Sequence, residues 1–442
     1  MNAIPKTVSG RFRENSFNIS GPLSIVALAV LLVLVPSLSS GQTSLLVPMD
    51  LTQTDHLRAY GLVYNAIKAG TKAEWLLNYR GGSFLLDSHD SINRLARLKG
   101  IKTETISSSE MANIYSTIDE ENMTVIKLEK APKIAVYVPP DNEPWDDAVT
   151  LVLEYSEIPY EKIYHKKILS GQLQEYDWLH LHHEDFTGQY GKFYATYRNA
   201  DWYRSRQAAQ ENRAKELGFS KVSLMEAAIV REIRGYVDKG GFLFAMCSAT
   251  DSYDIAQAAM GTDIVENVFD GDPADPSALN NLKFSSTWAF KDFKLITDPM
   301  VYEFSEIDAT PRNGYNARGD DGDYFTLFEF SAKHDPVPTM LTQNHTSVIK
   351  GFMGQTTAYR EEFIKPSVVI MGRQEGLGVA KYIHGSSGKG TWTFYGGHDP
   401  EDYRHMIGDP PTDLHLHRNS PGYRLILNNI LFPAAKKKEQ KT

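Results

Sequence analysis

Apolar residues at Leu57, Tyr60, Val63, Tyr64 and Ile67 recur at the three-and-four spacing of a helix face, and Gly70 ends the run. The short apolar run Leu45 to Pro48 precedes it and reads as a strand, and Ala73 to Leu86 carries further strand character. A helix near 90–99, a strand at 103–106 and a helix near 109–118 complete a first α/β unit, with a boundary between Lys127 and Lys133. A second unit opens on the strand Lys133 to Pro140. Helical spacing from Trp145 to Ser156, strands at Tyr160 to Tyr164 and Trp178 to His183, a polar helix near 203–217 and an amphipathic helix over 223–238 follow. Gly240 and Gly241 lead into the strand Phe242 to Met246. Strands alternating with helices through short connections predict a parallel sheet covered on both faces.

Residues 262–380 break this rhythm. Pro, Asp and Gly punctuate short β-rich runs such as Tyr324 to Phe330 and Ser367 to Met371, which predicts an inserted segment of antiparallel strands. The regular pattern returns at Gly390 to Gly396 and closes with a helix from Ser420 to Leu431. The expected organisation is therefore a signal segment over 1–41, an N-terminal α/β unit over 42–130, a core from 131–261 and 381–432, a β-rich insertion over 262–380, and a basic disordered tail over 433–442.

The first segment bears on location. Lys6, Arg11 and Arg13 precede an apolar run from Ile25 to Val35, and small residues follow from Ser37 to Gly41. That order is the one a cleaved secretory signal needs, and the run is short for a bilayer core of about 30 Å. The expectation is an exported protein, periplasmic or extracellular, with no stable membrane insertion after cleavage. The formal charge of −9 falls to −11 once three cations, Lys6, Arg11 and Arg13, and one anion, Glu14, depart. A mildly acidic chain is poorly suited to nucleic acid, so a small molecule, glycan or peptide is the expected partner. Hydrophobic content of 42% supports an ordinary globular core.

One cysteine, Cys247, stands among all 442 residues, so disulfide stapling is excluded. It follows the strand Phe242 to Met246 directly and lies in Ala245-Met-Cys-Ser-Ala249, with small residues on both sides as a sharp strand-to-helix turn requires. A helix starting just after it would lower the thiol pKa and offer N–H groups to an oxyanion. The alternative is a small apolar residue closing a buried strand. His398 follows the last regular strand and can meet Cys247 at a shared sheet edge as its base, with Glu401 or Asp399 orienting the imidazole. Alternatively, His398 merely caps a turn.

His180 and His182 share one face of a strand by its period of two, with His183, Glu184 and Asp185 at its mouth. These five residues are expected to line the substrate site together with Ser248, Asp251 and Asp399. No cofactor is expected; two imidazoles with a carboxylate, as in His180, His182 and Glu184, leave a divalent metal as the alternative, with His405, His415 and His417 as further candidates to approach it. Asp270 to Asp275 and Asp320 to Asp323 lack the full calcium-loop spacing and read as turns. Tyr79 to Ser83 offers a turn suited to an anion but matches no phosphate-binding fingerprint. Asn122 and Asn344 begin glycosylation sequons, and the aromatics from Phe193 to Tyr203 can stack on sugars.

The strand, the cysteine elbow, and a late strand followed by His398 resemble class I glutamine amidotransferases. The stretches Gly240 to Asp251 and Gly388 to Asp399 more closely resemble ThuA-like proteins of the same superfold. The resemblance covers about residues 130–260 and 380–432 and implies a doubly wound, mostly parallel α/β sheet, with Cys247 as nucleophile and His398 as base of an amide or ester hydrolase. His398-Asp-Pro-Glu401 has one residue more than the His-Pro-Glu of that family, and Cys247 stands where ThuA-like proteins commonly carry histidine. The whole chain, through Leu76 to Phe84, Leu179 to Gly191 and Asn344 to Gln355, also resembles exported Bacteroidetes proteins often labelled asparagine synthetase B. An asparagine synthetase of that name needs a cysteine as its mature N-terminus and a Ser-Gly-Gly-x-Asp-Ser loop, and this sequence has neither. Two other readings stand beside the hydrolase: a non-catalytic carbohydrate-binding or assembly protein, and a ThuA-like metal-dependent carbohydrate-active protein.

Overall fold

In the computed structural model, residues 43–140, 147–315, 322–350, 354–402 and 410–437 are described. The segment expected to be a signal, Trp145, Asp320 and Asp321, His405 and the last five residues of the tail lie outside them. Residues 42–442 form one unit. Strands β1 (Ser44–Val47), β2 (Ala73–Leu77), β3 (Ser83–Asp87), β4 (Glu104–Ile106) and β5 (Thr124–Leu128) build a five-stranded sheet in the order β4-β1-β3-β2-β5. Every pairing in it is antiparallel. Helices α1 (His56–Lys68), α2 (Asp90–Leu98) and α3 (Ser108–Glu120) pack on it.

A longer sheet carries β6 (Ile134–Tyr137), β7 (Glu161–Ile163), β8 (Trp178–Leu181), β9 (Phe242–Met246), β10 (Tyr324–Leu327), β11 (Val348–Lys350), β12 (Tyr359–Arg360), β13 (Val369–Gln374), β14 (Val379–Ser387) and β15 (Gly390–Tyr395). Its order is β11-β10-β13-β14-β15-β9-β8-β6-β7, with β12 on β14. The strands β15, β9, β8, β6 and β7 run parallel. The other pairings are antiparallel and outnumber the parallel ones, five to four, among the described residues.

The expected doubly wound, mostly parallel α/β fold is therefore wrong. Alternation of apolar and polar residues records which face of a strand is buried but not the direction of its neighbour. Residues 73–86 are a hairpin: Asn78, Arg80, Gly81 and Gly82 take left-handed φ values and turn β2 back on itself as β3. The strands of the expected insertion, β10, β11 and β13, pair antiparallel and belong to the main sheet. The boundary placed at residue 380 cuts through the nine-residue β14, which pairs with β15 from Ser387↔Gly390 to Tyr382↔Tyr395 and so carries β10, β11 and β13 as an extension of the main sheet.

Helices α4 (Ala148–Tyr155), α5 (His165–Leu169), α6 (Tyr194–Tyr197), α7 (Asp201–Glu216), α8 (Val222–Asp238), α9 (Ser248–Ala258), α10 (Asn267–Asp270) and α11 (Pro421–Leu431) complete the fold. One apolar core joins both sheets through α1, α4 and α11, with Leu57, Val63, Trp75, Val136, Val152, Phe244 and Leu427 fully enclosed in it. At its centre Arg424 of α11 is completely buried, where it donates to the Met49 carbonyl at 3.0 Å, the Tyr60 hydroxyl at 3.1 Å and the Gly81 carbonyl. A buried guanidinium with its donors used in this way stitches the two sheets together. The tail begins as ordered chain, since Ala435 bridges Leu128 and the Lys436 N–H donates to the Lys127 carbonyl at 2.8 Å. No helix among the described residues is long and apolar enough to cross a membrane.

Candidate functional site

Parallel pairing of β15 with β9, in register at Tyr395↔Met246, ends both strands at one edge. The next residues along each strand are Cys247 on one side and the Gly396-Gly397-His398 turn on the other. The Cys247 N–H lies 3.1 Å from the carbonyls of both Tyr395 and Gly397, which ties the two strand ends together. Cys247 has φ +50° and ψ −138° and is the N-cap of α9. Such a conformation is costly for a residue with a Cβ, and in a strand-to-helix elbow it lifts the side chain out of the sheet toward the helix start.

The sulfur points into backbone donors. The Gln355 N–H donates to Sγ at 3.0 Å, and the backbone of Ser248 and of Thr356 also bonds the thiol. These contacts favour the thiolate, yet burial outweighs them and pushes the Cys247 pKa up to about 11. The expected lowering by the helix start is present and is the smaller effect, because the thiol is only 1% exposed. Its cover is the strap 354–357. A Cβ on Gly354 would stand 3.0 Å from the Cys247 sulfur and 3.1 Å from His398 Cδ2, so the glycine lets the strap lie directly over both side chains. Beneath the strap, Thr356 Oγ1 donates to Asp251 Oδ1 at 2.9 Å and the Thr357 N–H donates to Asp308 Oδ1 at 3.1 Å. Burial, with Asp308 beside it, raises the Asp251 carboxyl far above its ordinary range.

His398 is buried among histidines: its ring centroid lies 4.9 Å from that of His182 and 6.3 Å from that of His183. The structure thus brings Cys247, His398, His182, His183, Ser248 and Asp251 to one edge. The remaining expected site residues have other partners. Glu401 Oε2 lies 3.5 Å from His417 Nδ1, and Asp399 accepts from the Tyr423 hydroxyl at 3.0 Å and from Thr412 at 3.1 Å. Asp185 accepts from the Thr187 N–H at 2.7 Å and the Gly191 N–H at 2.9 Å, which makes it the staple of the 185–191 loop. Ser248 Oγ and Ser252 Oγ donate to the His183 and Glu184 carbonyls at 3.0 and 2.8 Å, so the first turn of α9 fixes the loop after β8. Glu184 is partly exposed as a residue, but its Oε2 is enclosed without a hydrogen-bond partner, and desolvation raises its carboxyl to about 7. It lines a small cleft with Tyr137, Tyr164, Arg206 and Glu226.

His180 is completely buried, one step back along β8 on the same strand face as His182. Its Nε2 lies 3.2 Å from Asp147 Oδ1, and His182 Nδ1 lies 3.2 Å from the same oxygen. Asp147 was missed in the sequence because it stands 33 residues before His180; its only local signal is a carboxylate ahead of an apolar helix, the signature of an N-cap. The acidic run at 263–272 gathers around an ammonium: Lys221 Nζ meets Asp263 at 2.7 Å and Asp270 at 3.1 Å, and also contacts Asp272. Arg80, in the turn considered for an anion, is taken by Asp50 at 2.7 Å and Glu104 at 2.8 Å.

No family model matches the chain, and no curated protein matches it. Among solved structures it is similar to two cytoplasmic proteins of Salmonella typhimurium. One is STM3548, at 9% identity and TM-score 0.33, and the other STM1381, at 11% and 0.33; each match covers 69% of this chain and 100% of the other. Gan42B, a GH42 β-galactosidase from G. stearothermophilus, is similar at 12% identity and TM-score 0.26, over 61% of this chain and 28% of the enzyme. None of these likenesses is strong enough to carry an argument about function.

Proposed function

We propose that Cys247 and His398 form the reactive couple of a hydrolase that cleaves an amide or ester bond of a small molecule, peptide or glycan. The observation that carries this reading is the cysteine elbow: a left-handed φ at the end of β9, with backbone N–H groups aimed at the sulfur and an imidazole under the same glycine strap. A buried thiol serving only as filler needs neither the strained backbone nor the donors.

In the resting arrangement the thiol keeps its proton, so substrate has to displace the 354–357 strap before reaction. His398 then accepts the thiol proton as Sγ bonds to the carbonyl carbon, and N–H groups of the kind that now face sulfur, from Ser248 and Gln355, stabilise the developing oxyanion. Collapse breaks the carbonyl bond to nitrogen or oxygen, and the leaving group takes the proton from His398. Water, deprotonated by the same imidazole, then cleaves the thioester and regenerates the thiol. The apolar run before residue 37 is read as an export signal, which would set this chemistry outside the cytoplasm.

Hydrolysis of p-nitrophenyl acetate tests the reading. Cys247→Ser is expected to reduce the rate to the buffer background, and His398→Gln to slow it by roughly 10²–10⁴. A rate in the unaltered chain no higher than the buffer background would place the protein among non-catalytic binding proteins instead, and equal turnover in Cys247→Ser would remove Cys247 from the reaction.

A further inference from the structure

His180 presents a problem of proton accounting. Its Nδ1 lies 3.2 Å from the Phe244 carbonyl, which can only accept, so Nδ1 carries the hydrogen. Its Nε2 then faces the Asp147 carboxylate at 3.2 Å, again an acceptor. His182 Nδ1 approaches the same Asp147 oxygen at 3.2 Å. All three side chains are at most 1% exposed. Hydrogen bonding alone would require an extra buried proton between Asp147 and His180, either as an imidazolium, which would give charge-assisted contacts of about 2.7–2.9 Å, or as a protonated carboxyl. A shared cation needs neither. With metal bonds of about 2.0–2.2 Å, neighbouring ligands of a tetrahedral ion stand about 3.3–3.5 Å apart, close to both distances here.

We propose that Asp147, His180 and His182 bind a zinc(II) ion through Asp147 Oδ1, His180 Nε2 and His182 Nδ1. These ligand atoms lie within 4.8 Å of one another. Two further observations point to an ion. Asp147 Oδ2 is buried without a hydrogen-bond partner, which leaves it available as a second carboxylate contact. The Nδ1–H of His180 on a backbone carbonyl is the arrangement that fixes the tautomer and ring of a metal-bound imidazole. Two imidazoles with a carboxylate form a borderline donor set that suits zinc better than calcium or magnesium. Asp147 is also the N-cap of α4, accepting from the Val149 N–H at 2.9 Å. The ion would therefore pin the start of α4 to the end of β8 and hold His182 against His398. Its carboxylate is a residue far upstream rather than Glu184, which the sequence offered only with the metal alternative, and the site does not rest on the chemistry of Cys247.

Metal content reads the proposal without any activity assay. The chain purified from zinc-supplemented medium is expected to hold about one zinc per molecule by plasma mass spectrometry. His180→Gln and Asp147→Asn are expected to lose it, while Asp270→Asn, in the acidic cluster around Lys221, keeps it. Chain that stays metal-free after incubation with zinc sulfate and desalting overturns the proposal, as does zinc retained in both ligand variants. Should those variants fail to fold, cobalt(II) chloride added to the metal-stripped unaltered chain decides the matter. Saturable visible absorption bands of tetrahedral cobalt support the site, and their absence overturns it.

Discussion

Cys247 holds a left-handed φ that costs a residue of its kind about 1–3 kcal/mol. The chain meets that cost with the two strand-end hydrogen bonds of its N–H and with α9 continuing directly behind it. The small residues around Cys247 made this elbow legible in the sequence, and the pairing with His398 followed from both residues ending strands. The thiol's protonation was not legible, because the strap that buries it comes from residues 354–357, more than a hundred positions away. Glu184 gives a second consequence at this scale. Its folded carboxyl is raised to about 7 by desolvation, so between pH 4.5 and 7 the unfolded chain binds fewer protons than the folded one, and stability falls as pH rises through that window. Glu184→Gln removes the penalty. Urea unfolding is expected to show the variant gaining about 1–3 kcal/mol on the unaltered chain at pH 8 and almost nothing at pH 4.5. An equal gap at both pH values would mean that the carboxyl is not the titrating group.

Among the elements, helices were the most legible because their ends carry local signals. Ser107 and Glu110 form a capping box at α3, Asp55 caps α1, and Ser420 with Pro421 opens α11. The less legible strands are those whose identity depends on a partner: the expected boundary at residue 380 falls inside β14, and the stretch Ala73 to Leu86 holds the paired β2 and β3. How closely elements approach was also hidden. A Cβ on Gly61 of α1 would stand 1.9 Å from the Ser156 carbonyl oxygen, just past α4. Gly61→Ala should therefore destabilise by about 2–3 kcal/mol despite the better helix propensity of alanine, because backbone must move to admit the methyl. Chemical denaturation measures this, and a variant more stable than the parent would refute the close packing of α1 on the turn after α4.

At the level of the whole molecule, a mixed sheet and an antiparallel sheet share one core, and that arrangement lay beyond the sequence. Pairing direction is decided by connections such as the Gly388-Lys389 turn joining β14 to β15, which places strands from the supposed insertion alongside the parallel set. The edge that matters survives this change, since β9 and β15 remain parallel neighbours and still deliver Cys247 and His398 side by side. The most direct test of that placement is rapid-quench mass spectrometry of the protein mixed with p-nitrophenyl acetate. The account predicts an acetyl group on the peptide bearing Cys247, released by hydroxylamine as a thioester should be and formed far more slowly in His398→Ala. Acetylation confined to surface lysines, or equal labelling of Cys247 with and without His398, would contradict it.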